Sequence, residues 1–146
     1  MIQLLTMGLF AAQVGMAFDQ SAATHHFGLT ATGGFIQVEA NDAADSATRD
    51  AVRAHLTMIA VQFARGDFSA PLVTHGEAPA GVPAMRTLKA DITYTFEATG
   101  NGGRVRITTT NAAALAAVHE FLRYQIREHA TGDPLGVAAT SPAAAP

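Results

Sequence analysis

FGLTATGGFIQVEA (Phe27–Ala40) followed by TRDAVRAHLTMIAVQFARGD (Thr48–Asp67) returns later in the chain as YTFEATGNGGRVRITTT (Tyr94–Thr110) followed by ALAAVHEFLRYQIREHATGD (Ala114–Asp133). Each half reads as a glycine-turned hairpin, an amphipathic helix carrying a histidine, and a closing Gly-Asp. The halves run one or two residues out of step within the helices. Strands are expected over His26–Ala31 and Phe35–Ala40, flanking Thr32-Gly33-Gly34, and over Ile92–Ala98 and Arg104–Thr110, flanking Thr99–Gly103. Glycine supplies the positive φ that tight hairpin connections require. Alternation sets Phe27, Leu29, Ile36, Val38, Ile92, Tyr94, Phe96, Val105 and Ile107 on one face, and Gln37, Glu39, Thr93, Thr95, Glu97, Arg104 and Arg106 on the other. Such a sheet is covered on one side only.

The helices supply that cover. Asp42 or Asp45 can cap the first, whose apolar stripe is Val52, Leu56, Ile59 and Phe63; Asn111 can cap the second, with Leu115, Val118, Leu122 and Ile126. The predicted fold class is α+β: a two-layer sandwich built from a duplicated ββα unit, with a four-stranded antiparallel sheet and two main helices on one face. The stretch from Phe68 to Ala90 falls outside the repeat. It is rich in Pro and Gly, and only its end looks helical, with Pro83 suited to a first helical position. Leu72, Val73, Val82, Met85 and Leu88 predict that it packs down as an ordered flap.

The ends read differently. Ile2–Phe18 is an apolar run of signal-peptide length, and Ser21-Ala22-Ala23 offers small residues for cleavage, so residues 1–23 are expected to be a signal peptide and the product periplasmic or secreted. Gly15 and Ala17 offer an earlier cut. The leader lacks a basic n-region, since no Lys or Arg precedes Arg49. Residues 24–133 then form a single domain, and residues 134–146 are expected to be a disordered Ala/Pro tail with nothing to bury.

Composition narrows the chemistry. The 146 residues are 49% hydrophobic with a net charge of −3 and nine dispersed basic side chains, which is no footprint for nucleic acid. There is no cysteine, so thiolate catalysis, disulfides and Cys-type metal sites are excluded. A metal ion would have to be held by His, Met, carboxylate or backbone. Six histidines occur, at 25, 26, 55, 75, 119 and 129, and Met58 and Met85 are the methionines outside the leader.

On the first helix His55 falls about 60° from the stripe centre and Met58 about 120° on the same side, neighbours one turn apart. His119 and His129 are roughly 15 Å apart along the second helix and cannot share an ion. The expected site is therefore of copper type, with His/Met ligands drawn from His55, Met58, His75, Met85, His25 and His26; imidazole and thioether are the softer donors available. Cleavage after Ala23 would also expose Thr24-His25-His26, an amino-terminal nitrogen set suited to Cu(II) or Ni(II). Against this stands a plainer reading: His55 and His119 as boundary histidines bonded to backbone or to Asp or Glu, His129 favoured by the helix dipole, and the methionines as gap fillers.

Enzyme readings are thinner. Glu120 with His119 and Glu77 with His75 are the available acid-base pairs, and no serine sits in a nucleophile-elbow pattern. The glycines lie in hairpins, not ahead of helices, so they are turns and not phosphate cradles. The chain is expected to bind and not to catalyse. The alternative to a metal is a small ligand under the flap, or a protein partner or second copy on the open sheet face with Phe35, Gln37, Arg104 and Arg106.

Arg53-Ala54-His55-Leu56, Phe63–Phe68, His75-Gly76, Gly81–Met85, Val118–Arg123 and Thr131-Gly132-Asp133 resemble a group of short, mostly exported bacterial proteins without an established function. The resemblance covers most of the chain from His25 to Asp133. Some of that group carry the name aspartate carbamoyltransferase, whose catalytic subunit is more than twice this length and has a Ser-Thr-Arg-Thr loop that is missing here. The group is richer in His and Met around positions 57–62, which implies a metal-facing helix. This chain keeps Met58 there and has Val61 and Gln62.

Overall fold

The computed structural model describes residues 18–138; residues 1–17, most of the expected signal peptide, and residues 139–146 of the expected tail lie outside the described residues. Strands β1 (Ala23–Thr30) and β2 (Gly33–Ala40) form one hairpin, and β3 (Ile92–Thr99) and β4 (Gly102–Thr109) the other. They join through their second strands into a four-stranded antiparallel sheet ordered β1-β2-β4-β3. The register lines up Phe27, Ile36, Val105 and Phe96 across all four strands, so one alternating set faces the core along the whole width. Phe27, Leu29, Ile36, Val38, Ile92, Val105 and Ile107 are buried there, with Tyr94 and Phe96 packed at the margin. The architecture is α+β, as the periodicities predict.

Helices α1 (Ser46–Ala64) and α4 (Ala112–Glu128) cover this face. Their start signals act as expected: the Asp45 side chain accepts from Thr48 N at 3.0 Å, and Asn111 accepts from Ala113 N and Ala114 N at 2.9 and 3.1 Å. All four residues of the first stripe are buried; in the second, Leu115 is half-buried and the other three are buried. Helix α1 lies mainly on β3 and β4, and α4 on β1 and β2. Because β2 and β4 are the central strands, a helix leaving either one lands over the other hairpin. Phe63 ties the layers together. Its ring stacks on Phe68 at 4.4 Å and meets Tyr94 and Phe121 edge-on at 5.7 and 5.8 Å.

Between the hairpins lie two short helices, α2 (Ser69–His75) and α3 (Val82–Thr87), with Pro83 in the first turn of α3. Val82 and Met85 are buried, so the second half of the flap packs down as expected. The first half does so through other residues. Leu72 and Val73 stand 44% and 55% exposed, because α2 turns Ala70, Pro71, Thr74 and His75 inward instead.

Both ends of the domain extend past their expected limits. Asp19 caps a single 3-10 turn at Gln20–Ala22, and Ala23 already pairs with Ala40, so the folded domain reaches back beyond residue 24. At the other end Val137 makes a parallel bridge to Leu29, Ala138 N donates to Leu29 O at 2.9 Å, and Arg123 Nε donates to Leu135 O at 2.9 Å. The free edge of β1 thus satisfies backbone groups that composition alone would leave to solvent. No helix among the described residues is long and apolar enough to cross a membrane.

Candidate functional site

Four of the six histidines converge on one cavity, and each comes from a different part of the fold. His25 is on the inner face of β1, His55 on α1, His75 at the last position of α2, and His129 at the C-cap of α4. The cavity lies beneath α2, measures about 60 Å³ and is walled mainly by apolar groups, among them Phe27, Val38, Leu56, Ile59 and Phe121. That is room for roughly four or five waters or one small group.

The rings make a continuous string. Phe18 stacks on His25 at 6.1 Å with planes 20° apart, and His25 stacks on His129 at 4.9 Å with planes 21° apart. His75 meets His129 edge-on at 5.2 Å, while Phe18 closes the other end against His55 at 5.6 Å. His25 and His129 also line an outer, more polar pocket of about 370 Å³ with Gln20, Thr24, His26 and Thr131. The stacked pair is thus shared by the apolar cavity and the more polar pocket.

Burial sets the charge state. It lowers the His25 imidazole to about 4, helped by the neighbouring His129, His55 and His26, and lowers His129 to about 4, helped by His75. Burial also pulls His55 down. At neutral pH these rings are uncharged and carry free lone pairs. His75 Nε2 donates to the buried Gln125 Oε1 at 3.0 Å, which fixes its tautomer and leaves Nδ1 as the acceptor. His55 is 7% exposed and its Nδ1 has no hydrogen-bond partner.

The expected His/Met set is only half assembled. His25, His55 and His75 meet, and His129 joins them. Met58 is 41% exposed and Met85 is sealed in the core against α4; neither lines the cavity. One turn of helix separates His55 from Met58, but the core boundary passes between them. His26 points to the opposite side of β1 from His25, as strand alternation requires, and its Nδ1 donates to Asp133 Oδ1 at 3.0 Å. Thr24, His25 and His26 are all paired within the β1–β2 ladder, which does not suit an amino-terminal chelate wrapping one ion.

His119 serves the scaffold. Buried, it donates from Nε2 to Thr30 O at 2.9 Å and pins α4 to the end of β1. The two Gly-Asp endings also diverge. Asp67 accepts from Ser69 N and starts α2, whereas Asp133 Oδ2 accepts from Phe27 N and ties the end of α4 to β1. Glu77 accepts from Tyr124 OH at 3.0 Å, exposed and turned away from acid-base work with His75.

The site residues that sequence reasoning misses are His129, Gln125 and Phe18. Gln125 and His129 are four apart on one helical face beside Ile126, a spacing that marks them as core-facing. By sequence Phe18 is indistinguishable from the apolar run Ile2–Phe18 that it closes. Among the described residues, no group of three His, Asp or Glu stands ready to hold a metal ion. No protein-family model, curated protein or solved structure matches the chain.

Proposed function

We propose that this chain is a small exported binding protein whose site is the imidazole-lined cavity beneath α2. The observation that carries the reading is the convergence of His25, His55, His75 and His129 from four separate elements on one apolar space. Buried polar side chains cost free energy unless they are satisfied, and four imidazoles around a cavity are a set of hydrogen-bonding groups for a small occupant. Five residues on which the resemblance to short exported proteins rests, His55, Leu56, Phe63, His75 and Phe121, line this space. The outer sheet face supports a partner less well. Arg104 donates to Gln37 Oε1 and lies over the Phe35 ring at 5.0 Å, and Arg106 pairs with Glu97, so its charges are met within the face.

Phenol and imidazole serve as probes of the cavity. Added at millimolar concentration, at least one should shift the ring resonances of His25, His55, His75 and His129 and spare those of His26 and His119. Ala70→Trp, which fills the space from α2, should abolish the shifts; absence of shifts for both probes, or their persistence in Ala70→Trp, rejects the cavity as a binding site.

Export has its own expected result. The Phe18 ring packs on His25 and His55, so a cut after Ala17 keeps these two contacts and a cut after Ala23 removes them. Amino-terminal sequencing of protein recovered from a bacterial periplasm should therefore begin at Phe18. A start at Thr24, or retention in the cytoplasm, counts against this processing.

A further inference from the structure

We infer that the occupant of the cavity beneath α2 is a short, uncharged molecule bearing a hydroxyl, held through its O–H by His75, and this rests on the reading of the cavity as a binding site. Volume, charge and hydrogen-bonding groups each narrow the choice. At about 60 Å³ the space takes about four or five non-hydrogen atoms, because a methylene and a water fill similar volumes. The wall is mainly apolar, with Phe27, Val38, Leu56, Ile59 and Phe121 among its members, so most of those atoms are carbon.

The same wall excludes charge. No Asp, Glu, Lys or Arg lines the cavity, so a carboxylate or an ammonium would enter without a counter-ion, at a desolvation cost that nothing offsets. The protein's own rings register that cost: burial lowers the His25 and His129 imidazoles to about 4. Polar atoms on the wall nevertheless remain to be met. Gln125 is 4% exposed, and its Oε1 accepts from His75 Nε2 at 3.0 Å. That bond leaves His75 Nδ1 as an acceptor and the Gln125 amide N–H groups as donors, on two residues that both line the cavity. His55, 7% exposed and on the same wall, adds an Nδ1 without a partner. A hydroxyl is the smallest uncharged group that both donates and accepts, so it can donate to His75 Nδ1 and still accept from the wall. An ether oxygen in its place leaves that acceptor unmet.

Four small molecules of equal non-hydrogen atom count test this: 1-butanol, diethyl ether, propionate and butylammonium, which offer a hydroxyl, a bare ether oxygen, a negative charge and a positive charge. Each is titrated into the mature chain at mildly alkaline pH, and binding is read from the ring resonances of His25, His55 and His129. 1-Butanol should bind, and diethyl ether should bind about 3- to 10-fold more weakly, the worth of one hydrogen bond. The two ions should bind at least about 30-fold more weakly. In His75→Phe, which keeps a ring and removes the acceptor, 1-butanol and diethyl ether should bind within about twofold of each other. Circular dichroism checks the fold of that variant; if it does not fold, the order of the four molecules on the unaltered chain decides.

Diethyl ether or either ion binding as tightly as 1-butanol, or an alcohol preference that persists in folded His75→Phe, overturns the proposal. Failure of all four to bind while phenol or imidazole still enters the cavity overturns the short-hydroxyl assignment and leaves the binding site standing. Failure of every probe removes the site.

Discussion

Between pH 6.5 and pH 4 the folded protein should lose on the order of 4 kcal/mol of stability, and its Tm should fall by about 15 °C. The cause is the buried pair His25 and His129, each held near 4 in the folded state against an ordinary histidine value of 6.5. A depressed folded value means that the unfolded chain binds more protons across this interval, so stability rises with pH there. It is fully present above about 6.5 and is lost as pH falls toward about 4. Each pH unit is worth about 1.4 kcal/mol per group. Water reaches part of His129, which keeps the total below that of two fully buried rings. His55, also depressed, acts in the same direction, and no carboxylate lines the cavity to offset it.

Thermal melts at pH 7 and pH 4 check the size of the effect, and a His25→Phe/His129→Phe double variant checks its source. Phenylalanine preserves the ring stack and cannot titrate. The difference in Tm between the two pH values should shrink to about 5 °C or less in that variant. An undiminished difference assigns the acid sensitivity to groups outside the cavity.

Gly33→Ala should cost about 4 kcal/mol or more, a large fraction of the 5–15 kcal/mol that stabilises an ordinary domain. Gly33 opens β2 at φ 154°, where side chains are disfavoured, and a Cβ there would lie 1.9 Å from Ile107 O and 2.8 Å from Ile107 C. Those atoms are backbone of β4, so no rotamer change relieves the contact. The junction between β2 and β4 joins the two hairpins; splaying it opens the centre of the sheet. At a urea slope of about 2 kcal/mol per molar, the unfolding midpoint should drop by about 2 M. Gly100→Ala is the control, since nothing lies within 4 Å of its added Cβ, and should change stability by no more than about 0.5 kcal/mol. Equal effects of the two substitutions would reject the close approach at Gly33.

The scaffold was legible because each of its parts repeats locally. Alternation along Phe27–Leu29 and Ile36–Val38 identified the buried sheet face, and the spacing of Val52, Leu56, Ile59 and Phe63 identified the buried helix face. Asp45 and Asn111 declared the helix starts through their own neighbouring amides. Local patterns failed where contacts come from far along the chain. Leu72 and Val73 looked like core residues, but a short helix ended at Gly76 presents Pro71 and His75 to the cavity in their place. Phe18 reads as leader because its apolar character has no local distinction from the run before it; its partners are His25 and His55.

By itself, then, the sequence determined the strands, the two long helices, their buried faces, and the absence of any thiol chemistry. Those are consequences of period, capping and composition, which act over a few residues. Only the tertiary structure decided which histidines meet. Strand order β1-β2-β4-β3 puts β1 beneath α4, and so places His25 against His129, more than a hundred residues away; α2 then brings His75 over them. The same packing leaves Met58 in solvent and closes Met85 into the core, because the boundary between buried and exposed is drawn by neighbouring elements and not by the helix that carries the residue.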